Sequence, residues 1–156
     1  MFKKFDALKL PKLNLPAYQF DIKSNEGRLL IYDVFRKKSI ILTPEEWVRQ
    51  NFLQYLTHEY HYPKSLIKIE SGLKFNNRLK RSDIMVYDRD GLPFLLVECK
   101  SYTTKISQSI FDQVATYNQT LKAKNIVVTN GMEHFCCEID FDSNKYKFVE
   151  EIPKFV

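Results

Sequence analysis

One apolar run, PFLLVEC at residues 93–99, most restricts how this chain can fold. Its length and unbroken hydrophobicity predict a strand in the centre of a sheet, covered on both faces. Asp90 and Gly91 precede the run and predict a turn, and DIMVYD at 83–88 predicts the partner strand of a hairpin. We therefore expect a sheet with helices packed against it.

Two segments have helical periodicity. The first, TPEEWVRQNFLQYLTHEY, has Thr43 as a helix N-cap and Pro44 at the first helical position, and it predicts a helix over about 44–60. The second, SQSIFDQVATYNQTLKA, predicts a helix over about 107–122. With the predicted strands, this order indicates an α/β fold with one central mixed sheet flanked by helices. Strands are predicted at 17–23, 27–33, 37–43, 66–75, 83–88, 93–99, 125–131, 134–141 and 145–152.

Length and composition exclude several classes of protein. The 156 residues predict a single domain, 1–156, with 1–16 as an extended N-terminal arm because Pro11 and Pro16 prevent a long helix. No signal peptide or membrane-spanning segment is expected. Three cysteines, an odd number with no CxxC, predict a reduced, cytoplasmic protein. The net charge of +5 permits a nucleic-acid partner without requiring one.

The apolar run ends in an acid and a base two residues apart. Because side chains alternate between the faces of a strand, Glu98 and Lys100 are expected on one face together with Phe94 and Leu96. Cys99 lies between them and is expected to face the other way. The alternative to a functional role is a solvated strand end with a local ion pair.

The hairpin is expected to bring a second acid to Glu98. If residues 89–92 form a four-residue loop, Asp88 opposes Pro93 and Asp83 opposes Glu98, with Cβ atoms ~4.5–5.5 Å apart. Two carboxylates that close repel each other, whereas a divalent cation such as Mg²⁺ or Mn²⁺ would bind both. A register shift of one residue would place the two acids on opposite faces.

This pattern of residues resembles a known nuclease signature. Asp83, then a strand and a turn, then Glu98-Cys99-Lys100 is similar to the motif of the PD-(D/E)xK nuclease superfamily. The chain departs from that motif at Ser82, where the motif has proline.

A wider resemblance covers residues 42 to 131. The stretches LTPEEWVRQNFLQYL, YPKSLIKIE, KRSDIMVYDRDG, LLVECK, ISQSIFDQVATYN and IVVTNG resemble the N-terminal nuclease-like domain of type I restriction enzyme R subunits. Within DQVATY, Gln113 and Tyr117 are one helical turn apart and resemble a QxxxY element of this superfamily; the alternative is that Tyr117 is a core residue. No P-loop motif is present, so a stand-alone relative is expected.

The resemblance implies metal-dependent hydrolysis of DNA. Asp83, Glu98 and the carbonyl of Cys99 would hold Mg²⁺ or Mn²⁺, together with an acid from the first helix. Glu45 and Glu46 are both candidates for that acid, and the resemblance favours Glu46. The alternative is that both acids only complement the helix N-terminus.

The remaining implied roles concern water and substrate. Lys100 would orient or activate the attacking water, or stabilise developing charge, and Gln113 would position Lys100 or the substrate. The connection at 76–82 is polar and basic, and it is expected to contact the phosphate backbone without sequence specificity. The basic residues in and beside it are Lys74, Arg78, Lys80 and Arg81.

DNA is the expected partner, with a motor or specificity subunit acting in trans. The oligomeric state stays open. The alternative function is a non-catalytic module on the same fold that binds nucleic acid or a protein partner. The paired acids favour the enzyme, because a binding module gains nothing from placing two carboxylates together.

Overall fold

The computed structural model describes residues 10–75 and 78–155, of which residues 70–75 and 78–82 are described by their backbone alone. The chain has the expected α/β class, with a central mixed sheet and two long helices. No helix in this part of the chain has the length and apolarity needed to cross a membrane. The elements are β1 (Ile22–Asn25), β2 (Arg28–Asp33), β3 (Lys38–Ile41), α1 (Pro44–His58), a 3-10 turn (Lys64–Leu66), β4 (Ile67–Phe75), β5 (Arg78–Tyr87), β6 (Pro93–Cys99), α2 (Gln108–Leu121), β7 (Asn125–Thr129), β8 (His134–Asp140) and β9 (Lys145–Val149).

The strands form two sheets, so the prediction of one sheet for all of them was wrong. Strands β4 to β9 form a six-stranded sheet in chain order, in which β6 and β7 are parallel and the other neighbours antiparallel. Strands β1 to β3 form a separate antiparallel sheet. We call these the large sheet and the small sheet. Only two residues, Leu42 and Thr43, separate β3 from α1, so the small sheet stays beside this helix.

The first strand begins at Ile22 rather than at residue 17. Glu26 and Gly27 form the turn, with φ values of 49° and 78°, and this turn pairs Asn25 with Arg28. Two successive residues with positive φ are typical of the tight turns that join twisted antiparallel strands. The turn therefore sets the register of the small sheet.

The two helices cover opposite faces of the large sheet. On α1, Phe52 packs in a cluster with Leu95 and Val97 of β6, whereas Val114 of α2 packs in a second cluster with Leu96. Neighbouring residues of β6 thus bury their side chains in different clusters, as the alternation of a doubly covered strand requires. This arrangement explains the unbroken apolar run.

The central hairpin contains a β-bulge. Tyr87 pairs with Pro93 and Val86 pairs with Leu95, which leaves Phe94 as the extra residue. The predicted pairing of Asp88 with Pro93 was therefore wrong. The bulge also turns Phe94 into the cluster that holds Leu95, so it does not share a face with Leu96 as expected.

The hairpin of β4 and β5 is longer than predicted. Residues 78–82 belong to β5 and pair with β4, for example Arg81 with Gly72 and Lys80 with Leu73. The expectation of an irregular connection over 76–82 was therefore wrong for 78–82, and residues 76–77 lie outside the described residues. Ladder hydrogen bonds with β4 explain why this polar, basic segment is a strand.

An N-terminal segment packs beside the end of β7. The backbone N–H of Asn14 donates to the carbonyl of Gly131 over 2.9 Å. A Cβ atom added at Gly131, which has φ of +84°, would lie 2.9 Å from a methyl carbon of Leu13 and 3.2 Å from one of Val48. Gly131 therefore allows both the turn and the close contact.

We expect Gly131→Ala to destabilise the fold more than Gly91→Ala. Both glycines have positive φ, but a Cβ at Gly91 would meet no heavy atom within 4 Å. Backbone strain of about 1–2 kcal/mol applies to both variants, and crowding adds about 1–3 kcal/mol at Gly131 alone. Urea unfolding of the two variants measures the difference. Equal losses would show that the contact with Leu13 is unimportant.

Candidate functional site

The end of the central hairpin brings two acids together. Ile84 pairs with Val97, and the next residues outward on the two strands are Asp83 and Glu98. Asp83 is buried, and its Oδ2 accepts a hydrogen bond of 2.6 Å from the backbone N–H of Cys99. Because this bond ties a carboxylate of β5 to the backbone of β6, the orientation of Asp83 depends on strand pairing.

The pKa of Glu98 is raised by its surroundings in this site. Burial and then repulsion from Asp83 raise the pKa of Glu98 to about 7, despite the attraction of Lys100. A carboxyl group normally avoids such surroundings because its ionised form is penalised. A bound cation would remove the penalty.

Lys100 lies beside Glu98, as the alternation of the strand predicts. Its Nζ is 3.1 Å from Glu98 Oε1, and its backbone N–H donates to the carbonyl of Thr129 over 2.8 Å. Burial opposes the charge of Lys100, but the attraction of Glu98 and Asp83 outweighs burial and raises its pKa. Lys100 is therefore positively charged, and the hydrogen bond to Thr129 of β7 fixes its backbone.

The first turn of α1 places its two acids differently. Thr43 caps the helix by accepting from the backbone N–H of Glu46. The Glu46 carboxylate is buried among Arg36, Arg49 and Gln50, all of which donate to it. It is therefore fully engaged in an ion-pair network inside the protein.

Glu45, in contrast, faces the acids of the hairpin. Burial and then repulsion from Asp83 raise the pKa of Glu45, and Lys100 and Glu98 also act on it. Of the two acids in the first turn, Glu45 is thus the one that interacts with Asp83 and Glu98, whereas the sequence interpretation favoured Glu46. Adjacent residues on a helix point about 100° apart, and only the tertiary structure shows which of them faces the sheet.

The other predicted residues are spread over the domain. Cys99 is fully buried in the cluster of α1, and its backbone lies between Glu98 and Lys100. Gln113 is exposed on α2, and no hydrogen bond among the described residues joins it to Asp83, Glu98 or Lys100, whereas Tyr117 is buried. Side chains of the predicted DNA contacts lie outside the described residues: Lys74, Arg78, Lys80 and Arg81.

One residue that the sequence interpretation missed lies at the centre of the site. Arg49 Nη2 is 2.6 Å from Asp83 Oδ1, and Nη1 of the same side chain contacts Glu46. Arg49 is almost fully buried. The available signal was its position three residues after Glu46 on a helix, a spacing at which opposite charges meet.

The chemistry of these donors fits a hard divalent cation. Asp83, Glu98, Glu45 and the carbonyl of Cys99 offer oxygen ligands, the type that Mg²⁺ and Mn²⁺ prefer. Among the described side chains, those of residues 10–69 and 83–155, however, no three Asp, Glu, His or Cys residues stand in metal-binding geometry.

Comparison with known proteins gives two matches. The family model described as type I restriction enzyme R protein N terminus matches residues 44–153. The fold is similar to the fragment structure assigned to an HsdR subunit of a type I restriction enzyme from Vibrio vulnificus YJ016, with 21% identity and a TM-score of 0.52. That match covers 72% of this chain and 24% of the other, so this chain spans about a quarter of that fragment. No curated protein matches.

Proposed function

This chain belongs to the family of type I restriction enzyme R protein N termini, and from that membership we propose that it is a metal-dependent DNA endonuclease. The observation that carries the proposal is the pair of acids at the hairpin end. Burial and Asp83 raise the pKa of Glu98 to about 7. Such an arrangement costs stability in the metal-free protein, and a bound cation would remove that cost.

In the proposed mechanism, the acids at the hairpin end would hold Mg²⁺ or Mn²⁺. Asp83, Glu98 and the carbonyl of Cys99 would hold the ion, and Glu45 rather than Glu46 would complete the set. When bound, such an ion lowers the pKa of a water molecule and stabilises negative charge on a phosphate. The chain contributes fixed ligands, since Asp83 is tied to the backbone of Cys99.

Lys100 would stabilise the charge that develops on the phosphate. Its raised pKa leaves it protonated near neutral pH, so it suits the role of a cation better than that of a base. The ammonium group is 3.1 Å from Glu98, and it therefore lies next to the proposed metal ligand. Gln113 would act only if substrate binding brings it close to Lys100.

DNA is the proposed substrate because restriction enzymes, to which the matched family belongs, act on it. Lys74, Arg78, Lys80 and Arg81 would contact phosphates from the long hairpin that leads to Asp83. A motor or specificity subunit of a type I system is the proposed partner in trans. These contacts to phosphate would carry no sequence information.

A specific observation favours the second candidate, a non-catalytic module that binds nucleic acid or a protein partner. The guanidinium of Arg49 already neutralises Asp83 at 2.6 Å, which reduces the need for a metal ion. The two candidates differ in metal binding, because only the enzyme requires it.

Incubation of supercoiled plasmid with the protein tests the proposal. We expect nicking that requires Mg²⁺ or Mn²⁺ and that is lost in Glu98→Ala, while Glu138→Ala, an exposed acid of β8, retains it. Removal of one metal ligand should slow cleavage at least 100-fold, or about 2.7 kcal/mol in barrier. Binding of Mn²⁺ without cleavage would indicate a missing partner. Neither binding nor cleavage would support the non-catalytic module.

A further inference from the structure

A line of alternating charges runs from the small sheet to Asp83. Arg36 joins Asp33 to Glu46, with distances of 2.5 Å to each acid, and Arg49 joins Glu46 to Asp83. Each cation thus lies between two carboxylates. The line begins at the end of β2, passes along the first turns of α1 and ends at the candidate active site.

The line is buried and braced along its length. Asp33 is fully buried, and its Oδ1 accepts hydrogen bonds from the backbone N–H groups of Phe35 and Arg36. Gln50 donates to Asp33 over 3.0 Å and to Glu46 over 2.9 Å, so it joins two acids that would otherwise repel. Each side chain is therefore held by at least two neighbours.

Stability alone is a weak explanation for such a network. Removing charges from water is costly, and apolar side chains of similar size often stabilise a fold as well or better. Arg49 also leaves its Nε without an acceptor among the described residues, which adds to the cost. A network that gains little stability but fixes positions is typical of the support around a functional group.

At the end of the line, Asp83 has one orientation. Oδ1 accepts from Arg49 and Oδ2 accepts from the backbone of Cys99, both over 2.6 Å. Each carboxylate oxygen can accept a second interaction, so these bonds leave Asp83 able to bind a cation. We propose that Arg49 is a positioning residue for Asp83 and that Arg36, in the small sheet region, holds Arg49 in place through Glu46.

This inference rests on the proposed function, because it treats Asp83 as a metal ligand. It also extends the site beyond the segment that the family model matches. That segment begins at residue 44, whereas Asp33 and Arg36 precede it. The small sheet is thus assigned a role in metal binding although none of its residues contacts Asp83 or Glu98 through the interactions described.

Calorimetry of Mn²⁺ binding tests the inference with three variants. Arg36→Met removes the ion pairs of Arg36 with Asp33 and Glu46. Arg28→Met removes an exposed arginine of β2 and is the matched control. Arg49→Lys keeps the charge but loses the planar fork that contacts two carboxylates at once. We expect Arg36→Met and Arg49→Lys to weaken Mn²⁺ binding by about tenfold or more, and Arg28→Met to bind like the wild type.

The direction of the change separates positioning from simple electrostatics. Loss of a positive charge near the site would by itself strengthen the binding of a cation, so weaker binding by Arg36→Met requires lost positioning. Unchanged or stronger binding by Arg36→Met and Arg49→Lys would overturn the inference. If Arg49→Lys does not fold, which near-ultraviolet circular dichroism would show, Arg36→Met decides alone. A wild type that binds no Mn²⁺ would overturn the proposed metal site as well, whereas wild-type binding with unchanged variants overturns only the inference.

Discussion

Glu98→Gln should make the metal-free protein more stable at pH 8 and at the same time abolish Mn²⁺ binding. In the fold, burial and Asp83 raise the pKa of Glu98 from 4.5 to about 7. The folded protein therefore binds a proton more tightly than the unfolded chain does. Between about pH 4.5 and pH 7 the folded state holds more protons, so its stability falls as the pH rises.

The neutral amide of glutamine removes this penalty. Each pKa unit corresponds to about 1.4 kcal/mol, so we expect the variant to gain on the order of 3 kcal/mol at pH 8. The gain should shrink to zero well below pH 4.5, where Glu98 is protonated in both the folded and the unfolded state. Metal binding is lost because the amide is a weaker ligand for a hard cation than the carboxylate.

Urea unfolding in EDTA at several pH values measures the stability, and calorimetry measures Mn²⁺ binding. Glu138→Gln is the matched control, because Glu138 is an exposed residue of β8. Equal stability of the Glu98→Gln variant and the wild type at pH 8 would contradict the prediction. It would mean that neither burial nor Asp83 penalises the ionised form of Glu98.

Lys100→Met should abolish cleavage while leaving Mn²⁺ binding intact. In the proposed mechanism, Lys100 stabilises charge on the phosphate and is not a metal ligand. Loss of one such electrostatic contact typically lowers kcat by about 10²–10³-fold. Methionine preserves the length of the apolar stem, so the half-buried side chain can still pack.

Metal binding by this variant should be at least as tight as in the wild type. The Lys100 ammonium group is 3.1 Å from Glu98, and its removal frees that carboxylate from a competing cation. Lys124→Met, an exposed lysine before β7, controls for the change in net charge. Full cleavage activity in Lys100→Met would exclude the proposed role of Lys100, and loss of Mn²⁺ binding would show that its role is to orient Glu98.

The order of secondary structure could be predicted because its signals are local. Thr43 and Pro44 mark the start of α1, and the helix begins at Pro44. The run at 93–99 is β6 with the predicted bounds, because a short, mainly apolar run that follows a turn favours a covered strand. The approach of Asp83 to Glu98 was also expected from the hairpin, although the pairing next to the turn was wrong and the bulge at Phe94 restores the register in which Ile84 pairs with Val97.

Other features depended on contacts between distant parts of the chain. The bulge places the side chain of Phe94 on the other face of the sheet from the one predicted, and no residue pattern near Phe94 predicted a bulge. The small sheet is separate from the large one because the chain passes from β3 into α1 after only two residues. Arg36 links the end of the small sheet to α1, because it pairs with Asp33 and Glu46. Hydrogen bonding in the β4–β5 hairpin made a strand of a segment whose composition is typical of a loop.

The sequence by itself determined the succession of strands and helices, and it placed an acid, a second acid and a lysine at one end of the central hairpin. Only the tertiary structure decided which acid of α1 faces that end. Glu46 is engaged by Arg36 and Arg49, so Glu45 is the acid that faces Asp83. The physical reason is that local propensity and alternation act over a few residues, whereas buried charges must be neutralised by whichever partners the fold brings within reach.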